Sequence, residues 1–120
     1  MRKVYYLSTC TTSKRIIDEL GLKDAGFEFQ DIKFDAITEA QIDAMHQMTG
    51  SYEALFSKIA RKYKELGLKD QKLSEKDFRE YILNEYTFLK RPVIIINDSI
   101  FVGSAKKNVA AAAEKLKVVN

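Results

Sequence analysis

The chain has 120 residues, 46% of them hydrophobic and 31% charged, with six tyrosines and seven phenylalanines. That is enough apolar area for one core and excludes a disordered chain, which cannot offset its ordering entropy by burial. Twenty basic against seventeen acidic side chains leave a net charge of +3, with the signs interleaved, so no dedicated nucleic-acid surface is indicated.

Lys3-Val4-Tyr5-Tyr6-Leu7 combines β-branched and aromatic residues without polar alternation, the pattern of a short strand covered on both faces. Ser8-Thr9-Cys10-Thr11-Thr12-Ser13 follows, rich in capping side chains. Ile16, Ile17 and Leu20 then give a one-sided helical stripe that ends at Gly21. Cys10 is therefore expected at a strand-to-helix junction. Phe27-Glu28-Phe29-Gln30 alternates at period two and reads as an edge strand, parallel to the first through a right-handed crossover.

Thr38 to Gln41 reads as a capping box that opens a helix with Ile42, Met45 and Met48 inward and Gly50 as its stop. Tyr52, Leu55, Phe56, Ile59, Tyr63 and Leu66 keep helical spacing up to Gly67, which predicts one continuous amphipathic helix. Lys58, Arg61, Lys62 and Lys64 would lie on its solvated face. Ser74 with Asp77 starts a third helix, whose stripe is Phe78, Tyr81, Ile82 and Tyr86. Pro92-Val93-Ile94-Ile95-Ile96, the turn Asn97-Asp98 and Ser99-Ile100-Phe101-Val102 predict a β-hairpin. Gly103-Ser104 opens a last helix with Val109, Ala113 and Leu116 as its stripe.

No apolar run approaches the ~20 residues of a membrane span, and the N-terminus has no secretory hydrophobic stretch. A cytoplasmic location without membrane association is expected. The single cysteine cannot form an internal disulfide, and metal sites built on several cysteines are excluded. His46 has no evident second ligand and reads as a structural or exposed histidine, so no metal site is expected.

An ordinary thiol is only ~3% thiolate at pH 7, so a working cysteine needs its anion stabilised. Unpaired N–H groups at a helix start favour a negative sulfur, and Thr11, Thr12, Ser13, Lys14 and Arg15 add hydroxyls and cations in the same turn. Cations there oppose the helix dipole, which points to an anion beside Cys10. The one proline, in Arg91-Pro92, directly precedes the most hydrophobic strand, where its missing N–H is tolerated.

Tyr6 to Arg15, Tyr63 to Leu68 and Leu89-Lys90-Arg91-Pro92-Val93-Ile94-Ile95 together resemble the motifs of the arsenate reductase (ArsC)/Spx family, in matching order over nearly the whole chain. The resemblance implies an α/β, thioredoxin-like fold in a single domain, residues 1–120. Its four-stranded mixed sheet would have the first two strands parallel and the last two antiparallel. A three-helix region over 35–90 would contain the family's insertion, and Pro92 would be a cis proline facing the cysteine loop.

The resemblance further implies that Cys10 is the nucleophilic thiol and that Arg91 binds an oxyanion or stabilises the thiolate. No cofactor is bound; an external thiol, glutathione or glutaredoxin, resolves the adduct, and the protein acts as a monomer on a small oxyanion or thiol substrate. Arsenate reductases of this family add two further arginines. Here their positions fall on Ser57 and near Gly103-Ser104, which counts against arsenate itself, and Lys58 and Arg61 are the nearest substitute cations. Spx-type regulators, which bind RNA polymerase without turnover, resemble the second half equally well. Many carry Cys-x-x-Cys, whereas Ser13 takes the second position here and makes this a monothiol variant.

Overall fold

A computed structural model describes residues 1–119. The chain forms two compact units, Met1–Asp35 together with the chain from Arg91 on, and Ala36–Lys90.

The first unit is built on strands β1 (Arg2–Tyr6), β2 (Glu28–Asp31), β3 (Val93–Ile96) and β4 (Ser99–Val102), with helices α1 (Thr11–Glu19) and α5 (Lys106–Val119). The sheet order is β2-β1-β3-β4. β1 runs parallel to β2 with Val4 opposite Phe29, and antiparallel to β3 with Val4 opposite Ile94 and Tyr5 opposite Val93. β3 and β4 form the expected hairpin, turned at Asn97 with φ 57°. Asparagine tolerates this left-handed conformation better than most side chains.

Because strand side chains alternate, Val4, Ile94 and Ile96 share one sheet face. Ile16 and Ile17 of α1, Leu22, and Ala112 and Leu116 of α5 pack on it, each nearly or wholly removed from solvent. Burying a side chain such as Ile94 is worth roughly 1.5–3 kcal/mol relative to exposure. The last helix starts two residues later than Gly103-Ser104 suggests, and it buries Ala112 in place of Ala113. Both alanines lie on the stripe that Val109 and Leu116 define, and the way the helix packs on the sheet turns Ala112 inward and leaves Ala113 half-buried.

The second unit contains α2 (Glu39–Thr49), α3 (Arg61–Glu65) and α4 (Glu75–Asn84). Both capping boxes form: the Thr38 hydroxyl accepts from the Gln41 N–H at 3.1 Å, and the Ser74 hydroxyl from the Asp77 N–H at 3.2 Å. Gly50 ends α2 at φ 79°, a left-handed conformation that glycine adopts without penalty.

The continuous helix expected from Tyr52 to Leu66 does not form. A 3-10 turn over Glu53–Leu55 ends at Phe56, whose backbone is extended (φ −88°, ψ 129°), and α3 is only five residues long. Ile59 and Leu66, two members of the apolar pattern, are 96% and 49% exposed, and Lys58 lies before α3. The backbone here finds non-local partners instead: Ser57 N–H donates to Phe88 O at 2.7 Å and Lys90 N–H to Leu55 O at 2.9 Å. The Phe56 ring lies 4.9 Å from both Phe78 and Phe88, so aromatic packing and bridge hydrogen bonds together outweigh local helix propensity.

Arg79 organises the exposed side of this unit. It holds Asp43 with two parallel hydrogen bonds, at 2.9 and 3.1 Å, and reaches Glu39 at 3.1 Å. The Tyr52 hydroxyl donates to the same Asp43 carboxylate at 2.6 Å. His46 stacks on Tyr52 with ring centres 4.1 Å apart and places Nε2 3.9 Å from Glu75, a packing role.

Candidate active site around Cys10

Cys10 is the N-cap of α1. Its N–H closes a turn onto Leu7 O at 2.9 Å, its backbone is extended (φ −98°, ψ 107°), and its carbonyl accepts the N–H of Lys14 at 3.2 Å. An N-cap side chain faces the free N–H groups of the next turn. The Cys-x-x-Ser spacing puts Ser13 at the third helical position, whose N–H is among those left open.

As a thiol, Cys10 makes no capping hydrogen bond. As a thiolate it would face both the N–H and the hydroxyl of Ser13. Ser13 is wholly buried, and its Oγ has no other hydrogen-bond partner among the described residues. Burial by itself would push the Cys10 thiol up. The Ser13 hydroxyl, the Ser13 N–H, and the charge and N–H donors of Arg91 outweigh that effect and hold the thiol below its ordinary value.

Arg91 arrives through sheet register rather than sequence proximity. With Tyr5 opposite Val93, the antiparallel ladder carries the residues before β3 to the end of β1 from which the Cys10 loop departs. The Arg91–Pro92 peptide bond is cis, Pro92 is buried, and Pro92 O accepts the N–H of Gly103 at 2.9 Å, tying the Arg-Pro turn to the start of the β4–α5 connection.

The remaining residues of the first turn are placed differently. Arg15 is exposed and turns away to Glu19, at 3.3 Å one helical turn on. Thr11 and Lys14 are exposed and Thr12 is half-buried; neither threonine hydroxyl hydrogen-bonds among the described residues. Lys58 and Arg61 belong to the other unit, where Lys58 is ion-paired with Glu53 at 2.8 Å and Arg61 begins α3 on its exposed surface. Ser57 is buried there. Within the unit that holds Cys10, the groups that lower its pKa are the Ser13 hydroxyl and N–H and the Arg91 guanidinium. Among the described residues no group of three or more histidine, cysteine, aspartate or glutamate side chains could hold a metal ion, and no helix is long and apolar enough to cross a membrane.

A cleft of about 220 Å³ also opens in this unit, lined by Tyr6, Ser8, Lys14, Ile17, Lys23 and Phe29. Sequence reading did not group these residues, since they come from β1, the following loop, α1, the turn after it and β2. Two half-buried aromatics on an edge strand and its neighbour are the one signal that could have suggested it.

Solved structures with this fold include an arsenate reductase from Vibrio cholerae, 18% identical at a TM-score of 0.76, with 92% of this chain and 95% of that chain covered. A protein from Staphylococcus aureus is 28% identical at a TM-score of 0.74, covering 92% and 97%. An arsenate reductase related protein from Brucella melitensis is 20% identical at a TM-score of 0.70, covering 92% of each chain. No functionally curated protein is matched significantly by the sequence. The sequence profile of the ArsC family matches residues 5–112, and with the thioredoxin-like sheet order and the position of Cys10 already in view, the chain belongs to the ArsC family.

Proposed function

We propose that the protein is a monothiol reductase that works through Cys10. The observation that carries this reading is the pairing of Cys10 at the α1 N-cap with Ser13 and Arg91, which together favour the thiolate. The thiolate is the nucleophilic form of cysteine. Cys10 attacks one sulfur of an oxidised substrate RSSR′, a Cys10–S–S–R bond forms, and R′S⁻ leaves and takes a proton. The thiolate of glutathione, or of a glutaredoxin, then attacks the substrate sulfur of that adduct, so that a disulfide between R and the external thiol forms and the bond to the Cys10 sulfur breaks. Cys10 is released as thiolate, and the two electrons come from the external thiol. Ser13 stands where a resolving cysteine would be, so the resolving thiol comes from outside the chain.

Oxidised sulfur is a better match than arsenate. A multiply charged oxyanion needs several charge-assisted partners, and Arg91 is the one arginine among the groups that lower the Cys10 pKa.

The test is reduction of a mixed disulfide and of arsenate, each with glutathione and glutaredoxin, by wild type and by Cys10→Ser. Turnover of the disulfide that is lost in Cys10→Ser supports the reading. Absence of turnover, together with a stable RNA polymerase complex unaffected by Cys10→Ser, would replace it with a regulatory role of the Spx kind.

A further inference from the structure

The cleft beside α1 has features that the Cys10 chemistry does not use. Tyr6 and Phe29 meet edge-to-face with ring centres 5.8 Å apart, and both remain half-buried. Ile17, 2% exposed, closes the floor. Aromatic surface is thus left open to water by Tyr6 at the carboxyl end of β1, the end of an open α/β sheet where ligands commonly bind, and by Phe29 on the edge strand β2 beside it. Covering it is favoured in proportion to the apolar area removed from water.

The cations on the wall differ in their engagement. Lys23 is held by Asp18 at 3.5 Å. Lys14 is exposed, lines the cleft and has no ion pair among the described residues. Ser8 adds a hydroxyl to the lining. An apolar bed with one uncommitted ammonium group and a hydroxyl is complementary to a molecule with a flat apolar body and one acidic group. A volume of about 220 Å³ limits that body to one or two rings.

We propose that this cleft is a binding subsite for a small aromatic organic anion, with the ring against Tyr6, Ile17 and Phe29 and the carboxylate or sulfonate at Lys14 and Ser8. Cys10 is not part of its lining, so occupancy does not depend on the thiol.

The experiment is an amide-resolved NMR titration of the full chain with 2-naphthoate and with its neutral analogue 2-naphthalenemethanol. It uses wild type, Lys14→Gln, Lys14→Arg and Cys10→Ser. Lys14 is exposed, so its variants fold. Expected are saturable shifts centred on Ser8, Lys14, Ile17, Lys23 and Phe29, naphthoate bound five- to tenfold more tightly than the alcohol, and that advantage lost in Lys14→Gln, retained in Lys14→Arg and unchanged in Cys10→Ser. Equal affinity for acid and alcohol, shifts centred elsewhere, or no saturation would overturn the proposal. Loss of binding in Cys10→Ser would move the anion to the thiol and overturn it as well.

Discussion

Arg91 reaches the Cys10 sulfur because Val93, two residues after it, pairs with Tyr5 in the central antiparallel ladder. Its positive charge and the Ser13 donors act in the same direction on the thiol. Arg91→Ala and Ser13→Ala are therefore each expected to raise the pKa of Cys10 and to slow its alkylation by iodoacetamide several-fold near neutral pH, where the thiolate fraction limits the rate. The pH dependence of alkylation rate, followed by mass spectrometry, checks this. Profiles that coincide with wild type would show that neither group stabilises the anion. Arg15→Ala, which removes a side chain turned to Glu19, is expected to leave the profile unchanged.

The Arg79 guanidinium and the Tyr52 hydroxyl hold the Asp43 carboxyl down at about 2. A folded value below the unfolded one means stability that is fully present above about pH 4 and is lost as the pH falls toward 2. Urea midpoints measured between pH 6 and pH 2 should fall in that window for wild type and fall less for Asp43→Asn. A variant curve parallel to wild type would place the acid sensitivity elsewhere.

Both capping boxes satisfy helix N–H groups that have no intrahelical partner. Thr38→Ala and Ser74→Ala should each cost about 0.5–2 kcal/mol in urea unfolding, with replacement by glycine costing only a few tenths. Amide exchange should quicken in the first turn of α2 and of α4 respectively. Losses spread over the whole unit with no local change in exchange would contradict a capping role.

Ile94 is 1% exposed, lies opposite Val4 and Phe101, and belongs to the cluster covered by α1 and α5. Ile94→Ala should cost about 2–5 kcal/mol and Ile94→Val about 0.5–1.5 kcal/mol by chemical denaturation, the difference reflecting the cavity left behind. A cost below 1 kcal/mol for the alanine variant would mean that the sheet face collapses around the missing atoms.

The amino-acid sequence alone determined the features that depend on neighbours a few residues apart: Cys10 at a strand-to-helix junction, Ser13 one turn later, the capping boxes at Thr38 and Ser74, the stop at Gly50 and the hairpin through Asn97. Each is a local hydrogen-bonding or steric choice, so short spacing suffices to read it. Tertiary structure decided what depends on partners distant in the chain. The 52–66 segment has helical apolar spacing, yet Phe56 leaves the helix to pair with Leu89 and pack on Phe78 and Phe88, contacts invisible to periodicity. Ala112 rather than Ala113 is the buried alanine of α5 because packing against the sheet chooses between two neighbouring positions of one apolar stripe. Of the five polar residues of the first turn, Ser13 is the one whose hydroxyl and N–H, with Arg91, hold the Cys10 thiol below its ordinary value. Helix geometry and strand register select among side chains that composition cannot distinguish.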